Sequence, residues 1–337
     1  MIKKLLREGI IKTSLNEGPV KLFETVKDYF QFSGDLDEDI HNLNELYVYL
    51  REEDDFDPFA HGQAAPTEKV DKNICLLTFS NANAKLDWPY FSLPAGYTCP
   101  FATVCKNFAS KPGQKFKDNK SLKQASDKTE HMCYAARAQA QYPETNKKAF
   151  SNLSLLMTAQ KDGGVKGMAD LIIESITYAG LDRSNIFRIH EGGDFFSDAY
   201  FKAWIEVANA FPNIKFYTHT TSLKFWISNR GSVPKNMNLI ASMDKNNEET
   251  ILQNNLRYST VVYSIEDAKK LRLPIDYDDS LACCSDTNFA LLLHGGQPAG
   301  TDASKAYMAN KKAGNYDKLK DLHKANKGNR QDLLKNK

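Results

Sequence analysis

The sequence predicts an α/β fold: a mostly parallel sheet in an incomplete or distorted (β/α) barrel, TIM-barrel-like, with a helical N-terminal appendage. Three observations predict it. Short apolar runs alternate with amphipathic stretches from Ile74 to about Tyr277. The 337 residues are 42% hydrophobic and 26% charged, which allows a sizeable buried core and excludes global disorder. Polar residues able to do chemistry recur just after the apolar runs, where parallel α/β folds keep their sites.

In chain order, residues 1–67 form the appendage and linker. Val20, Leu22, Phe23, Val26, Tyr29 and Phe30 recur at helical spacing, and a second helix is expected over Leu43 to Arg51. Pro58, Gly62 and Pro66 mark the linker that follows. Between Asp35 and Asp57 ten acidic side chains face one basic residue, Arg51. The opening Met1 to Leu6 starts like a signal peptide, but Arg7, Glu8 and Lys12 break the apolar run. No run reaches the roughly 18 apolar residues of a membrane span, so a cytoplasmic protein without membrane contact is expected.

Residues 68–302 are the main α/β domain. Strands are expected at Ile74 to Phe79, Ile186 to Ile189, Ile214 to Tyr217, Met237 to Ala241 and Ser259 to Tyr263, with one more near Pro274 to Tyr277. Helices are expected at 134–160, 166–179, 199–211, 223–227, 248–254 and 265–271. Five or six strands suit an incomplete barrel better than a full eightfold one, and an open doubly wound sheet is the alternative. Residues 303–337 form a basic tail: from Lys305 to Lys337 ten Lys or Arg stand against three Asp. The tail is either a solvated, Lys-rich helix or a surface for phosphate.

The six cysteines are Cys75, Cys99, Cys105, Cys133, Cys283 and Cys284. Clustered cysteines in a large reducing-compartment chain point to metal or catalysis rather than a disulfide framework. Cys75, inside an apolar run, reads as a buried structural thiol. Cys99 is followed by Pro100, which keeps a ligand's backbone off the helix, and Pro94 and Gly96 supply loop chemistry around it. Cys99, Cys105 and Cys133 are therefore the candidate ligands of an iron–sulfur cluster, most simply [4Fe–4S], with Cys283 or Cys284 as the fourth. A four-thiolate zinc site is the rival, although the compact CxxC knuckles of structural zinc are absent. Free buried thiols are the plain alternative.

Reading only the strand ends adds His190, Gly192, Gly193 and Asp194 after one strand, and His219 after the next. These are candidate cofactor-binding residues. Either histidine also reads as a hydrogen-bonded structural residue, and Asp194 as a turn cap. Between Cys105 and Cys133 lies a basic insert, with Lys106, Lys111, Lys115, Lys117, Lys120, Lys123 and Lys128 against three acids. By charge, the insert and tail suit an acidic protein or nucleic acid, against the simpler reading of a solvated loop.

Cys99-Pro100, Cys105, Cys133-Tyr134-Ala135 and the string from Phe187 to Ser197 (Phe-Arg-Ile-His-Glu-Gly-Gly-Asp-Phe-Phe-Ser) resemble the phage "gene product eighty-eight" family over roughly residues 74–290. The resemblance implies a phage-encoded protein working in the host cytoplasm. The layout is also similar, at fold level, to radical S-adenosylmethionine enzymes, in which a cysteine loop follows the first strand and a Gly-Gly-Glu-like turn after the second receives the methionine amine. Gly192-Gly193-Asp194 occupies that place. The chain departs from the radical pattern because 27 residues separate Cys105 from Cys133, where those enzymes use a compact Cx3Cx2C. A fourth thiolate from Cys283 or Cys284 would also close the iron that such chemistry needs open. Near the C-terminus, His294 to Gly300 stands where relatives carry further cysteines, so no second cluster is expected there. Three function classes follow: a cluster-binding protein for electron transfer, sensing or partner binding; a radical-type enzyme; and a nucleic-acid-binding protein with a structural cluster.

Overall fold

A computed structural model describes residues 76–81, 86–116, 119–124 and 129–322. The expected N-terminal helices, Cys75, Lys117, Lys128 and the end of the basic tail lie outside the described residues.

Six strands form one parallel sheet: β1 (Tyr90–Ser92), β4 (Ile186–Gly192), β5 (Lys215–Thr220), β6 (Met237–Met243), β7 (Tyr258–Val262) and β8 (Phe289–Leu292). They lie side by side in that order. Each crossover thus steps one strand in the same direction, and right-handed crossovers of this kind gather the helices on one face. β1 and β8 do not pair with each other, so the barrel is incomplete, as the sequence predicts. β2 (Asn107–Ala109) and β3 (Leu122–Gln124) form a separate antiparallel hairpin inside the basic insert.

The pleat sorts the apolar residues into two layers. Phe187, Ile189, Phe216 and Leu239 face the helices α2 (Pro143–Tyr178) and α3 (Asp198–Ala210), which bring Leu156, Ile172, Phe201 and Trp204. Ile186, Tyr217 and Ile240 point the other way, against Leu86, Trp88 and the short helix α7 (Ser280–Cys284). Burial on both faces explains why the central strands read as continuous apolar runs. Pro143, which lacks an N–H and holds Tyr142 extended, separates α2 from α1 (Tyr134–Gln141). The break expected near residue 160–166 is a kink inside α2 at Gly164, where φ is +60°. The remaining helices, α4 (Leu223–Ser228), α5 (Glu248–Gln253) and α6 (Ile265–Lys270), fall where expected, and α8 (Asp302–Lys312) opens the basic tail.

Two expected strands are corrected. In the run 74–79, Leu76 to Phe79 are buried, or nearly so, outside the sheet. Their backbone groups bond to side chains of α2 instead. Leu77 N–H donates to Ser175 Oγ (3.0 Å) and Thr78 N–H to Asn152 Oδ1 (2.8 Å), while Asn152 Nδ2 donates to the Thr78 carbonyl (2.9 Å). The first strand is Tyr90–Ser92. Near Pro274 to Tyr277 only Ile275 makes an isolated bridge, to Ala290, because Pro274 supplies no ladder donor. The sixth strand is Phe289–Leu292.

Asn152 is 2% exposed and replaces a sheet neighbour for Thr78. Asn152→Ala leaves both Thr78 groups without these partners. It is expected to cost about 1–3 kcal/mol, read as a lower urea midpoint with an unchanged m-value.

Candidate functional site

The C-terminal ends of the strands open into a cavity of about 600 Å³ whose wall includes Cys99, Cys105 and Cys133. Each thiol arrives from a different local structure. Cys99 sits in a turn after β1: Thr98 Oγ1 donates to the Pro94 carbonyl (2.9 Å), and Gly96 N–H approaches Cys99 Sγ (3.4 Å). Gly96 has φ +81°, and a Cβ there would stand 2.2 Å from the Asn107 carbonyl oxygen, so only glycine fits. Cys105 precedes β2. Asn107 Nδ2 donates to the Cys105 carbonyl (2.9 Å) and to that of His131 (3.3 Å), tying Cys105 to the segment that leads to Cys133. Cys133 is the residue before α1, at the positive end of the helix.

The end of β4 clamps two of these segments together. Gly193, at φ +87°, approaches so closely that a Cβ would lie 2.6 Å from Thr98 Oγ1 and 2.7 Å from Leu93 Cβ. A Cβ on Gly192 would meet Ala135 Cβ at 3.0 Å and Gln139 Nε2 at 3.2 Å. Gln139 completes the joint, accepting from Ala95 N–H (3.0 Å) and donating to the Leu93 carbonyl (2.9 Å). The Gly-Gly pair is therefore the packing surface between the Cys99 loop, β4 and the Cys133 helix.

The three thiols are half-buried at the cavity wall. Burial pushes all three upward: Cys99 well above an ordinary thiol, and Cys105 up to about 12. Negative charge on Cys133 or Cys105 raises Cys99 further, and charge on Cys133 raises Cys105, so the three lie within electrostatic reach of one another. The amides of Ala136 and Ala135 pull Cys133 back toward the thiolate. Among the described residues, no three His, Cys, Asp or Glu side chains close around a single point as one metal ion requires.

The other candidates are already engaged. The Asp194 carboxylate accepts from Phe195 N–H (2.7 Å), Thr220 Oγ1 (2.6 Å), Thr221 N–H (2.8 Å) and Thr221 Oγ1 (2.8 Å), stapling the turn after β4 to the end of β5. Burial raises its pKa, and these four bonds oppose the rise. His190 lies 3.1 Å from Tyr200 Oη, and burial, reinforced by Arg188, lowers it to about 3. His219 Nδ1 lies 3.0 Å from Ser259 Oγ, and burial, again with Arg188, lowers it to about 4. Both rings line the cavity as neutral imidazoles near pH 7. Cys283 and Cys284 are not brought to this wall. They lie on α7, bonded to each other, with Cys283 buried against Trp88 and Tyr217. α7 packs beneath the cavity toward the strand starts: Asn238, second residue of β6, donates to the Cys283 carbonyl (3.0 Å).

One network at the cavity floor was not evident from sequence. The buried Arg188 guanidinium donates to the His190 carbonyl (2.8 Å), to Asp279 Oδ2 (2.8 Å) and to Tyr134 Oη (2.7 Å). Asp279 also accepts from Tyr217 Oη (2.7 Å), which accepts from Trp88 Nε1 (2.8 Å). Asp279, with φ +62°, follows no apolar run and gave no signal, whereas Tyr134 beside Cys133 did. In the basic insert Lys111 is buried and lowered to about 8 by burial, while Lys115, Lys120 and Lys123 are exposed. Among the described residues no helix is long and apolar enough to cross a membrane.

Residues 62–313 match the family model described as Gene product 88. Two curated relatives are similar in part. The Gene 88 protein of Mycobacterium phage D29 is 25% identical over 117 residues, which is 34% of this chain and 49% of the relative. The Gene 88 protein of Mycobacterium phage L5 is 28% identical over 90 residues, or 26% of this chain and 38% of the relative. The chain thus spans about half or less of the length of these relatives. No solved structure matches.

His219 yields a pH prediction. Its folded pKa, about 4, lies below its ordinary 6.5, so the unfolded chain binds the extra proton and stability is lost as pH falls through that window. Asp276, pushed up to about 7 by burial, contributes a slope of opposite sign, so the comparison is with a variant. Relative to wild type, His219→Gln should flatten the acid loss between pH 6.5 and 4 by up to about 1.4 kcal/mol per pH unit, measured by urea unfolding.

Proposed function

The chain belongs to the Gene product 88 family, with phage relatives, and we propose that it is an iron–sulfur protein whose cluster, [4Fe–4S], is ligated by Cys99, Cys105 and Cys133. One observation carries the reading: three thiols from three separate segments line one cavity at the strand ends, where parallel α/β folds bind their ligands. The donor set fits. Thiolates are the ligands of such clusters, and the amides at the start of α1 favour the anionic form of Cys133. A cluster takes one thiolate at each iron corner, so its ligands need not meet at one point. Zinc fits less well, because a single ion requires that meeting. Bound there, a cluster supplies one-electron chemistry. The protein's part is to hold the ligands through the Gly192-Gly193 clamp and to keep His190 and His219 neutral. The phage relatives make the infected host's cytoplasm the proposed place of action.

A second reading, a radical-type enzyme using S-adenosylmethionine, is favoured by one observation. Cys283 and Cys284 lie off the cavity wall, so three thiolates would leave one iron of a cubane without a protein ligand. The Asp194 carboxylate, engaged in four hydrogen bonds, is not free to receive an amine, which weighs against this reading.

Protein purified without oxygen should be brown, with visible absorption bleached by dithionite and acid-labile sulfide equal to its iron. Ala at Cys99, Cys105 or Cys133 should abolish both colour and sulfide. A colourless protein with stoichiometric zinc contradicts the proposal. With the cluster loaded and reduced, 5′-deoxyadenosine formed from S-adenosylmethionine above a Cys99→Ala control decides for the enzyme, and its absence for a binding or electron-transfer role.

A further inference from the structure

We propose that Cys283 and Cys284 form a reversible disulfide–dithiol site, a redox centre separate from the thiol-lined cavity. The proposal does not rest on the cluster. The two sulfurs are bonded to each other, at a sequence separation of 1. A cross-link stabilises a fold mainly by removing freedom from the unfolded chain, and that gain grows with the loop it closes. Between adjacent residues there is almost no loop, so this bond is not a staple. What it offers is its chemistry.

The surroundings give that chemistry a direction. Cys283 is fully buried against Trp88, Tyr217, Ile240 and Phe289, whereas Cys284 is half-buried, so a reductant enters at Cys284. Arg257 binds the turn that carries both sulfurs: Nη2 donates to the Leu281 carbonyl (2.6 Å) and Nη1 to the Ala282 carbonyl (3.1 Å). These bonds fix the turn, so the two sulfurs stay side by side when the bond between them opens. The exchange balances with a dithiol as co-reactant. Its thiolate bonds to Cys284 Sγ as the Cys283–Cys284 bond breaks, and Cys283 leaves as a thiolate that takes up the proton the attacking thiol gave up. The second thiol of the reductant then closes on the first, releasing Cys284. The chain gains two electrons and two protons, and the reductant becomes a cyclic disulfide.

The site also has a route to the cavity. Cys283 N–H donates to the Asp279 carbonyl (2.9 Å), and the Asp279 carboxylate holds Arg188, which in turn holds Tyr134 beside Cys133.

The test equilibrates the full chain, without oxygen, in stepped ratios of reduced and oxidised dithiothreitol, followed by acid quenching, alkylation and mass spectrometry of the peptide holding residues 283–284. A single two-electron transition is expected, from both thiols alkylated to neither. Two thiols that stay alkylatable across the whole range, or a pair that reduces only when the chain is unfolded, overturn the proposal. Cys284→Ser, and the reduced wild type, should melt within about 2–4 °C of the oxidised protein, and a larger loss would make the bond a staple after all. Iron content of Cys284→Ser should equal that of wild type. Loss of iron would make Cys284 a ligand and overturn the assignment, whereas loss confined to Cys99, Cys105 or Cys133 variants leaves it standing.

Discussion

The close approach of the β4 terminus to two other segments is the constraint on which the site depends. Gly193 can hold φ +87° and admit Thr98 and Leu93 to within 3 Å of where a side chain would begin, and Gly192 admits Ala135 nearly as closely. A register shift between β1 and β4 sets this up, since Tyr90 pairs with Arg188 but Ser92 pairs with Gly192. Leu93 N–H then donates to the Gly192 carbonyl (2.9 Å). One edge of the joint carries Cys99 and the other carries Cys133, so the glycines fix the distance between two thiols whose sequence positions are far apart.

Beneath the joint, Arg188 supplies the polar counterpart to the apolar core. A guanidinium this deeply buried is tolerable only because each direction of its fork meets an acceptor, and removing Asp279 would leave an uncompensated charge costing about 3–5 kcal/mol. Burial keeps His190 and His219 neutral, and the fixed positive charge of Arg188 lowers both further. The histidines act here as uncharged hydrogen-bonding residues rather than as proton carriers near neutral pH.

Much of this was legible in the sequence, for reasons that particular residues make plain. Ile186, Ile214 and Met237 begin runs buried on both faces, so apolar content alone marked those strands. Cys99, Cys105 and Cys133 follow β1 or precede α1, and topology carries them to one rim. Leu76 to Phe79 has the same composition as a strand, yet Asn152 and Ser175 of α2 take its backbone bonds, a long-range choice no local pattern records. Phe289 to Leu292 is a strand the sequence pattern does not mark, and without it the place of Cys283 and Cys284 relative to the sheet is not legible. They precede β8 and sit under the sheet. Gly192-Gly193-Asp194, expected as a ligand-receiving turn, packs its glycines closely against the Cys99 loop and the Cys133 helix and bonds its aspartate to the end of β5.

The most direct test of the central claim compares Gly193→Ala with Gly163→Ala, a helical glycine whose added Cβ meets nothing within 4 Å. Both variants are purified without oxygen and compared by circular dichroism, iron and acid-labile sulfide. The account predicts native secondary structure in both, full iron and sulfide in Gly163→Ala, and background levels in Gly193→Ala. A folded Gly193→Ala protein that keeps its full iron and sulfide would contradict it.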